Sequence, residues 1–148
     1  MGFLDFLNKK NESASEDIEL QEANARSETR IKMNISFSPL RLSAGKESKI
    51  KMIVKIKNES NTPMLISVDA LLSKKDLIGF DSACVSKHSE KKIGEIKAGE
   101  TKEAVFDICS SNQTKQGNYN VGVNVYSHYL DYDKVINYVK RVISLRAA

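Results

Sequence analysis

The sequence predicts an all-β fold made of two packed sheets, and two patterns support this prediction. Apolar and polar residues alternate in several short segments, and this two-residue period places one apolar row on a single face of a strand. Turn-forming residues separate these segments at intervals of roughly 8–12 residues, which is typical of a β-sandwich. The sequence shows neither a βαβ alternation nor an internal repeat.

The clearest alternation lies in residues 117–125, which we expect to form the central strand. Four apolar residues alternate there with small or polar ones: Tyr119, Val121, Val123 and Val125 with Asn118, Asn120, Gly122 and Asn124. The six other predicted strands, in chain order, are residues 31–37, 50–57, 64–72, 77–80, 104–108 and 135–145. We expect Pro39 to end the first strand, since proline cannot donate to a sheet, and residues 40–42 to continue it in the other sheet.

Two parts of this prediction concern less regular segments. Residues 74–92 show the least regular pattern, in which the short strand at 77–80 is followed by a polar loop through His88. In the last predicted strand, Val135, Ile136, Val139, Val142 and Ile143 also satisfy a helical period. Their β-branched side chains favour a strand, for which we predict a bulge near Lys140.

The N-terminal part of the chain differs from the rest in charge and pattern. The first 30 residues contain four basic and seven acidic residues, whereas the remaining 118 contain 19 basic and 12 acidic ones. We expect residues 1–27 to form a separate segment and linker, flexible or in part a short helix, and residues 28–148 to form the β domain.

The first residues of that segment have one apolar face at helical spacing, formed by Phe3, Leu4, Phe6 and Leu7. A helix this short is not stable alone in water. It would become ordered on a surface, either a membrane interface or a hydrophobic groove. The alternative is a frayed terminus, or one that docks on its own domain.

Composition limits the classes of function. The chain has 148 residues, a net charge of +4 and 28% charged residues, which is ordinary for a globular protein and does not indicate a dense nucleic-acid-binding patch. Two cysteines do not make a disulfide framework. The sequence shows no secretory signal and no transmembrane run, so we expect a cytoplasmic protein, with peripheral membrane contact if the N-terminal face is a tether.

The residues do not indicate an enzyme. Nucleophile-elbow, phosphate-loop and metalloprotease motifs are all missing. A tetrahedral zinc site would have to use Cys84, His88, Cys109 and His128, but structural zinc sites show two close pairs and only Cys84 and His88 are close in sequence. We therefore expect no catalytic residues, no metal and no cofactor, and both histidines at the surface.

Three short motifs resemble those of a known group of domains. They are Val54-Lys-Ile-Lys-Asn58, Ile96-Lys-Ala-Gly-Glu100 and Gly117-Asn-Tyr119. The last resembles the tyrosine corner at the start of strand F in immunoglobulin-like sandwiches. Over residues 31–146 the chain resembles the immunoglobulin-like modules of the bacterial and archaeal cell-adhesion-related type (CARDB and NPCBM-associated). The resemblance implies a seven-stranded antiparallel immunoglobulin-like β-sandwich and identifies no ligand.

The main candidate for a binding site follows the central strand. Residues 126–132 contain three of the five tyrosines and one of the two histidines: Tyr126, His128, Tyr129 and Tyr132. Tyrosine concentrates in binding loops because it offers a large contact area at little entropic cost. In the implied fold this is the F–G loop. The leading hypothesis is a non-catalytic interaction module that contacts a protein partner there; the alternative is that the tyrosines only cover the end of the sandwich.

Two sheet faces provide further hypotheses. Asn118, Asn120 and Asn124 form an uncharged row that is disfavoured in strands, which suggests either carbohydrate or cell-surface binding or a merely solvated face. Lys49, Lys51, Lys55 and Lys57 share one face of a strand. One hypothesis is that this row binds nucleic acid weakly and without sequence specificity. The hypothesis that we favour is that lysines on an exposed or edge strand prevent aggregation.

Overall fold

The computed structural model describes residues 30–148, and residues 31–148 form a compact unit. The predicted tether residues Phe3, Leu4, Phe6 and Leu7 lie outside the described part. Every regular element in residues 30–148 is a strand, so the all-β prediction is confirmed. Residues 30–148 contain nine strands, where seven are predicted: β1 (Ile31–Ser38), β2 (Arg41–Leu42), β3 (Ser48–Asn58), β4 (Met64–Leu72), β5 (Ile78–Gly79), β6 (His88–Ile96), β7 (Thr101–Ser110), β8 (Gly117–His128) and β9 (Val135–Ala147).

These strands form two sheets. One has four strands in the order β1-β3-β7-β5, and the other has five in the order β2-β9-β8-β4-β6. All neighbours pair antiparallel except β2 and β9, which pair in parallel. β8 therefore lies in the middle of the larger sheet, as its pattern predicts.

The core lies between the two sheets and is built from the alternating apolar rows. The four-stranded sheet contributes mainly Met52, Val54, Ile56, Phe106 and Ile108, and the five-stranded sheet Ile66, Val68, Val121, Val123, Val125 and Leu145. Each of these side chains is at most 2% exposed. Removing such apolar surface from water is the dominant stabilising term in folding.

The first strand is divided between the two sheets, as predicted. β1 pairs with β3 in one sheet, and after Pro39 the chain crosses to the other sheet, where β2 pairs with the end of β9. Leu42 is 1% exposed and packs into the common core. This crossing ties the beginning of the domain to its end.

Two predictions about local structure are wrong. The loop predicted to run through His88 ends one residue earlier, because His88 begins β6, a strand that the sequence does not predict. β6 lies at a sheet edge and contributes only Ile96 as a fully buried residue, so its sequence lacks an apolar alternation. The bulge in β9 is not near Lys140 but at Ile136, where the register shifts between Ser127 and His128 of β8.

Asn58 is a buried polar residue whose role the sequence does not reveal. It ends β3 with an exposure of 1%. Its Nδ2 donates to the carbonyl oxygens of Thr62 (2.8 Å) and Ile96 (2.9 Å), and its Oδ1 accepts from the backbone and the hydroxyl of Ser60 (2.9 and 2.6 Å). One side chain therefore holds the β3–β4 turn against the end of β6.

We expect Asn58→Ala to lower the free energy of unfolding by about 1–3 kcal/mol, because it leaves the buried carbonyl group of Ile96 without its donor. Urea unfolding monitored by circular dichroism measures this loss. Asn61→Ala changes an exposed residue of the same turn and serves as the control, with an expected change within about 0.5 kcal/mol. Equal effects of the two substitutions would contradict the assigned role.

Candidate functional site

The loop that joins β8 to β9, residues 129–134, is fixed by its own hydrogen bonds. We call it the tip loop. The amide of Tyr129 donates to the carbonyl of Lys134, and the amide of Asp131 donates to the carbonyl of Tyr129 (both 2.8 Å). The Asp131 carboxylate accepts from the amide of Asp133 (3.1 Å). The loop therefore has a defined shape and holds its outward side chains in place.

Leu130 is the unusual residue of the tip loop. Its φ of 69° lies in the left-handed region, which costs a residue with a Cβ atom roughly 1–2 kcal/mol. Its side chain is 75% exposed, so burial within the domain does not compensate for this cost. Strain of this kind concentrates at functional sites, and it makes Leu130 a candidate contact residue.

A groove of about 510 Å³ lies beside the tip loop. Its lining combines the tip loop with the turn before β4, the starts of β4 and β9 and the ends of β6 and β8: Thr62, Pro63, Leu65, Glu95, His128, Tyr129, Leu130 and Ile136. Tyr129 and Ile136 are 58% and 57% exposed. Exposed apolar side chains around a concave surface are typical of a protein-binding site.

A row of aromatic rings supports the hairpin on the outer face of the larger sheet. Tyr126 lies between Tyr138 and His128, with ring centroids 6.0 and 6.3 Å apart. Tyr132 packs edge-on against His128 at 5.1 Å, and the Nζ of Lys92 lies 5.2 Å from the centre of the Tyr132 ring. Aromatic contacts of this kind add about 0.5–1.5 kcal/mol per pair beyond burial.

The structure thus divides the four predicted loop residues. Tyr126, His128 and Tyr132 lie in the aromatic row; Tyr129 lies in the groove wall, to which His128 also contributes. His128 is not a surface residue as predicted: it is 7% exposed, because Tyr132 folds back over its ring. Its Nε2 is hydrogen-bonded to the Oγ of Ser67 at 2.7 Å, which attaches the end of β8 to β4.

The sequence does not single out the other groove residues. Leu130 and Ile136 adjoin the predicted tyrosines, but nothing in the pattern indicates that both are exposed. Pro63 and Leu65 join the groove only because β4 pairs with β8, where Leu65 lies opposite His128. Their contribution depends on strand order, which local periodicity does not encode.

The asparagine row is interrupted in the structure. Asn118 and Asn120 are exposed, whereas Asn124 is half-buried and donates from Nδ2 to the hydroxyl of Tyr126 at 3.3 Å. Between them, Gly122 lies opposite Leu71, whose Cβ would be 3.7 Å from a Cβ added at that glycine. The three asparagines therefore do not form one continuous polar surface.

The lysine row lies on an inner strand, since β3 is flanked by β1 and β7, so protection of a sheet edge does not explain it. Acidic residues of β7 face most of it instead. Asp107 lies 3.9 Å from Lys49 and 3.4 Å from Lys51, and Glu103 lies 3.9 Å from Lys55. These pairs reduce the positive charge that the row presents to a nucleic acid.

The two cysteines lie close together without a bond between them. The Sγ of Cys84 donates to the carbonyl oxygen of Cys109 at 3.4 Å, and both thiols are free. In residues 30–148, no three His, Cys, Asp or Glu side chains are grouped as metal ligands. Desolvation raises the pKa of both thiols above their ordinary value, which makes them poor nucleophiles at neutral pH.

We expect thiol alkylation of the folded protein to be slow at pH 7, since a raised pKa reduces the thiolate fraction at every pH below it. The rate for half-buried Cys84 should rise with pH along a titration whose midpoint lies above 9.0, followed by iodoacetamide labelling and mass spectrometry. Cys84→Ser isolates the buried Cys109, which should react more slowly still. Rapid labelling at pH 7 would contradict the desolvated environment.

No protein-family model matches the chain, and no curated protein matches it. Among solved structures, it is similar to the alkylpurine DNA glycosylase AlkC of Pseudomonas fluorescens bound to DNA with an abasic-site analogue (15% identity, TM-score 0.45), of which it covers 31% while 80% of this chain is matched. It is also similar to the PapD-like domain 7 of human CEP192 (14% identity, TM-score 0.42, 94% of this chain and 98% of that one). A third similar structure is AvmM, which catalyses macrocyclization in alchivemycin A biosynthesis (8% identity, TM-score 0.45). The match covers 80% of this chain and 90% of that one.

The chain thus spans about a third of the glycosylase. Similarities at this level do not indicate a function for this protein. Among the described residues, the structure contains no helix that is both long and apolar enough to span a membrane.

Proposed function

We propose that this protein is a non-catalytic interaction domain that binds a protein partner with the tip loop and the adjacent groove. The observation that supports this most directly is Leu130, which is strained in its backbone and 75% exposed in its side chain. A residue with this combination destabilises the isolated domain. Burial of the Leu130 side chain against a partner would offset the cost of its backbone conformation.

The shape and rigidity of the site support the same proposal. Interfaces gain most from a few apolar or aromatic residues that fill a pocket of the partner, and Tyr129, Leu130 and Ile136 are such residues. Binding would cost little further conformational entropy at these residues, because hydrogen bonds already fix the tip loop and aromatic rings already support the hairpin in the free protein. In this proposal Tyr126, His128 and Tyr132 position the loop rather than contact the partner.

We also propose that the fold is an immunoglobulin-like sandwich of the cell-adhesion-related type. Tyr119 supports this, since its hydroxyl donates to the carbonyl of Lys115 at 2.5 Å, as a tyrosine corner does. The first strand divided between two sheets is also consistent with it. In this assignment β8 and β9 are strands F and G, and the tip loop is the F–G loop.

The experiment is quantitative affinity capture with the full chain as bait, followed by the same capture with Leu130→Asn. Asparagine tolerates the left-handed region, so this variant should be at least as stable as the native protein. It should nevertheless recover about tenfold less partner, because it removes a central apolar contact.

Leu40→Asn is the matched control, because Leu40 is also 75% exposed but lies between β1 and β2. It should leave recovery unchanged. If Leu130→Asn and Leu40→Asn reduce recovery equally, or if neither reduces it, the tip loop does not bind the partner.

A further inference from the structure

Among the described residues, 30–148, no strand covers one edge of β9 over most of its length. β8 pairs with β9 on one side, whereas β2 on the other side pairs only with Arg146 and Ala147. Within residues 30–148, no strand pairs with residues 135–145 on that side. The backbone N–H and C=O groups that point there are available to another strand.

The side chains of this edge do not protect it. The opposite edge of the same sheet, β6, carries Glu90, Lys91 and Lys92 in succession, and such charges discourage pairing. Residues 135–143 of β9 instead include five β-branched apolar residues and only two charged ones. Tyr138 and Val142 are 61% and 58% exposed.

We propose that β9 pairs antiparallel with β9 of a second copy of the chain. The two five-stranded sheets then become one continuous sheet across a two-fold axis that passes between the two copies of Val139. This proposal goes beyond the tip loop, which lies at the end of the hairpin and remains free in the dimer.

The sequence of β9 is complementary to itself in this register. With Val139 on the axis, each Val139 lies opposite its copy, and the regular pairing covers residues 137–141 of each chain, because the bulge at Ile136 ends it on one side. Tyr138 lies opposite Lys140 of the partner subunit, a pair that allows a cation–π contact. Opposite side chains on paired strands contribute directly to sheet stability, so this register has favourable contacts on both faces.

Charge excludes the two neighbouring registers on the C-terminal side of this one. An axis through Lys140 or Arg141 would place each of these cations directly opposite its copy, which is destabilising. Arg141 itself is engaged within its own chain, since its Nη1 donates to the carbonyl of Met33 at 3.1 Å. β2 limits the pairing at the C-terminal end, because it occupies the edge from Arg146 onward.

The test is sedimentation of the full chain over a concentration series, which should show a monomer–dimer equilibrium. Tyr138→Lys places a lysine opposite Lys140 twice in the dimer and should weaken association by about tenfold. Adding Lys140→Glu to the same chain restores opposite charges at both places, so the double variant should recover the native dimer. Tyr138 is exposed, and urea midpoints should confirm that the variants remain folded.

Tyr129→Lys is the control for charge alone, because it adds the same lysine at a similarly exposed position of the tip loop and should leave the dimer unchanged. A protein that remains monomeric at every concentration would overturn the proposal, whether the edge is free, covered by residues 1–29 or used by a strand of a different protein. A dimer that Tyr138→Lys leaves intact, or that Lys140→Glu fails to restore, would also overturn it, since the interface would then lie elsewhere.

Discussion

The register of β8 between β4 and β9 is the constraint on which the other features of this domain depend. Side chains alternate across a strand, so a shift by one residue would turn Val121, Val123 and Val125 from the core to the outer face. The same shift would separate His128 from Ser67 of β4. The buried valine row thus determines which side chains appear on the outer face and where the hairpin ends.

The outer face of the larger sheet has two regions with different physical character. Near the hairpin, stacked rings and the bond between Ser67 and His128 make it well packed, and the groove lies at its border. Farther along β8, the face is open and polar around Asn118 and Asn120. This division limits the exposed apolar surface to one rigid end of the face. A domain with such a face can present one localised contact surface without exposing a large apolar patch.

The sequence predicts those parts of the fold in which local periodicity and tertiary position agree. β3 and β8 have a polar face and an apolar face, and their alternation directly reports burial. β6 could not be recognised, because an edge strand with charged residues does not need that alternation. Asn58 has the signature of a turn residue, yet its buried role depends on Ile96, which only the assembled sheets bring near it.

The candidate site shows the same limit. Tyrosine enrichment in residues 126–132 indicates the end of the domain beside which the groove lies, because tyrosines concentrate in binding loops. It does not distinguish Tyr129, which is exposed, from His128, which is covered by Tyr132. That distinction depends on the backbone path of the tip loop and on which strand β8 meets, and neither is encoded within a few residues.

The short pairing between β2 and β9 has a consequence for the order of folding. It joins Leu42 to Ala147, which are near opposite ends of the domain's sequence, whereas the β8–β9 hairpin needs only its own short loop. Closing a long chain segment costs more entropy before any contact compensates for it. We therefore expect the β8–β9 hairpin to form early and β2 to dock last, so that Arg146 and Ala147 at the end of β9 stay unpaired on that edge until β2 arrives.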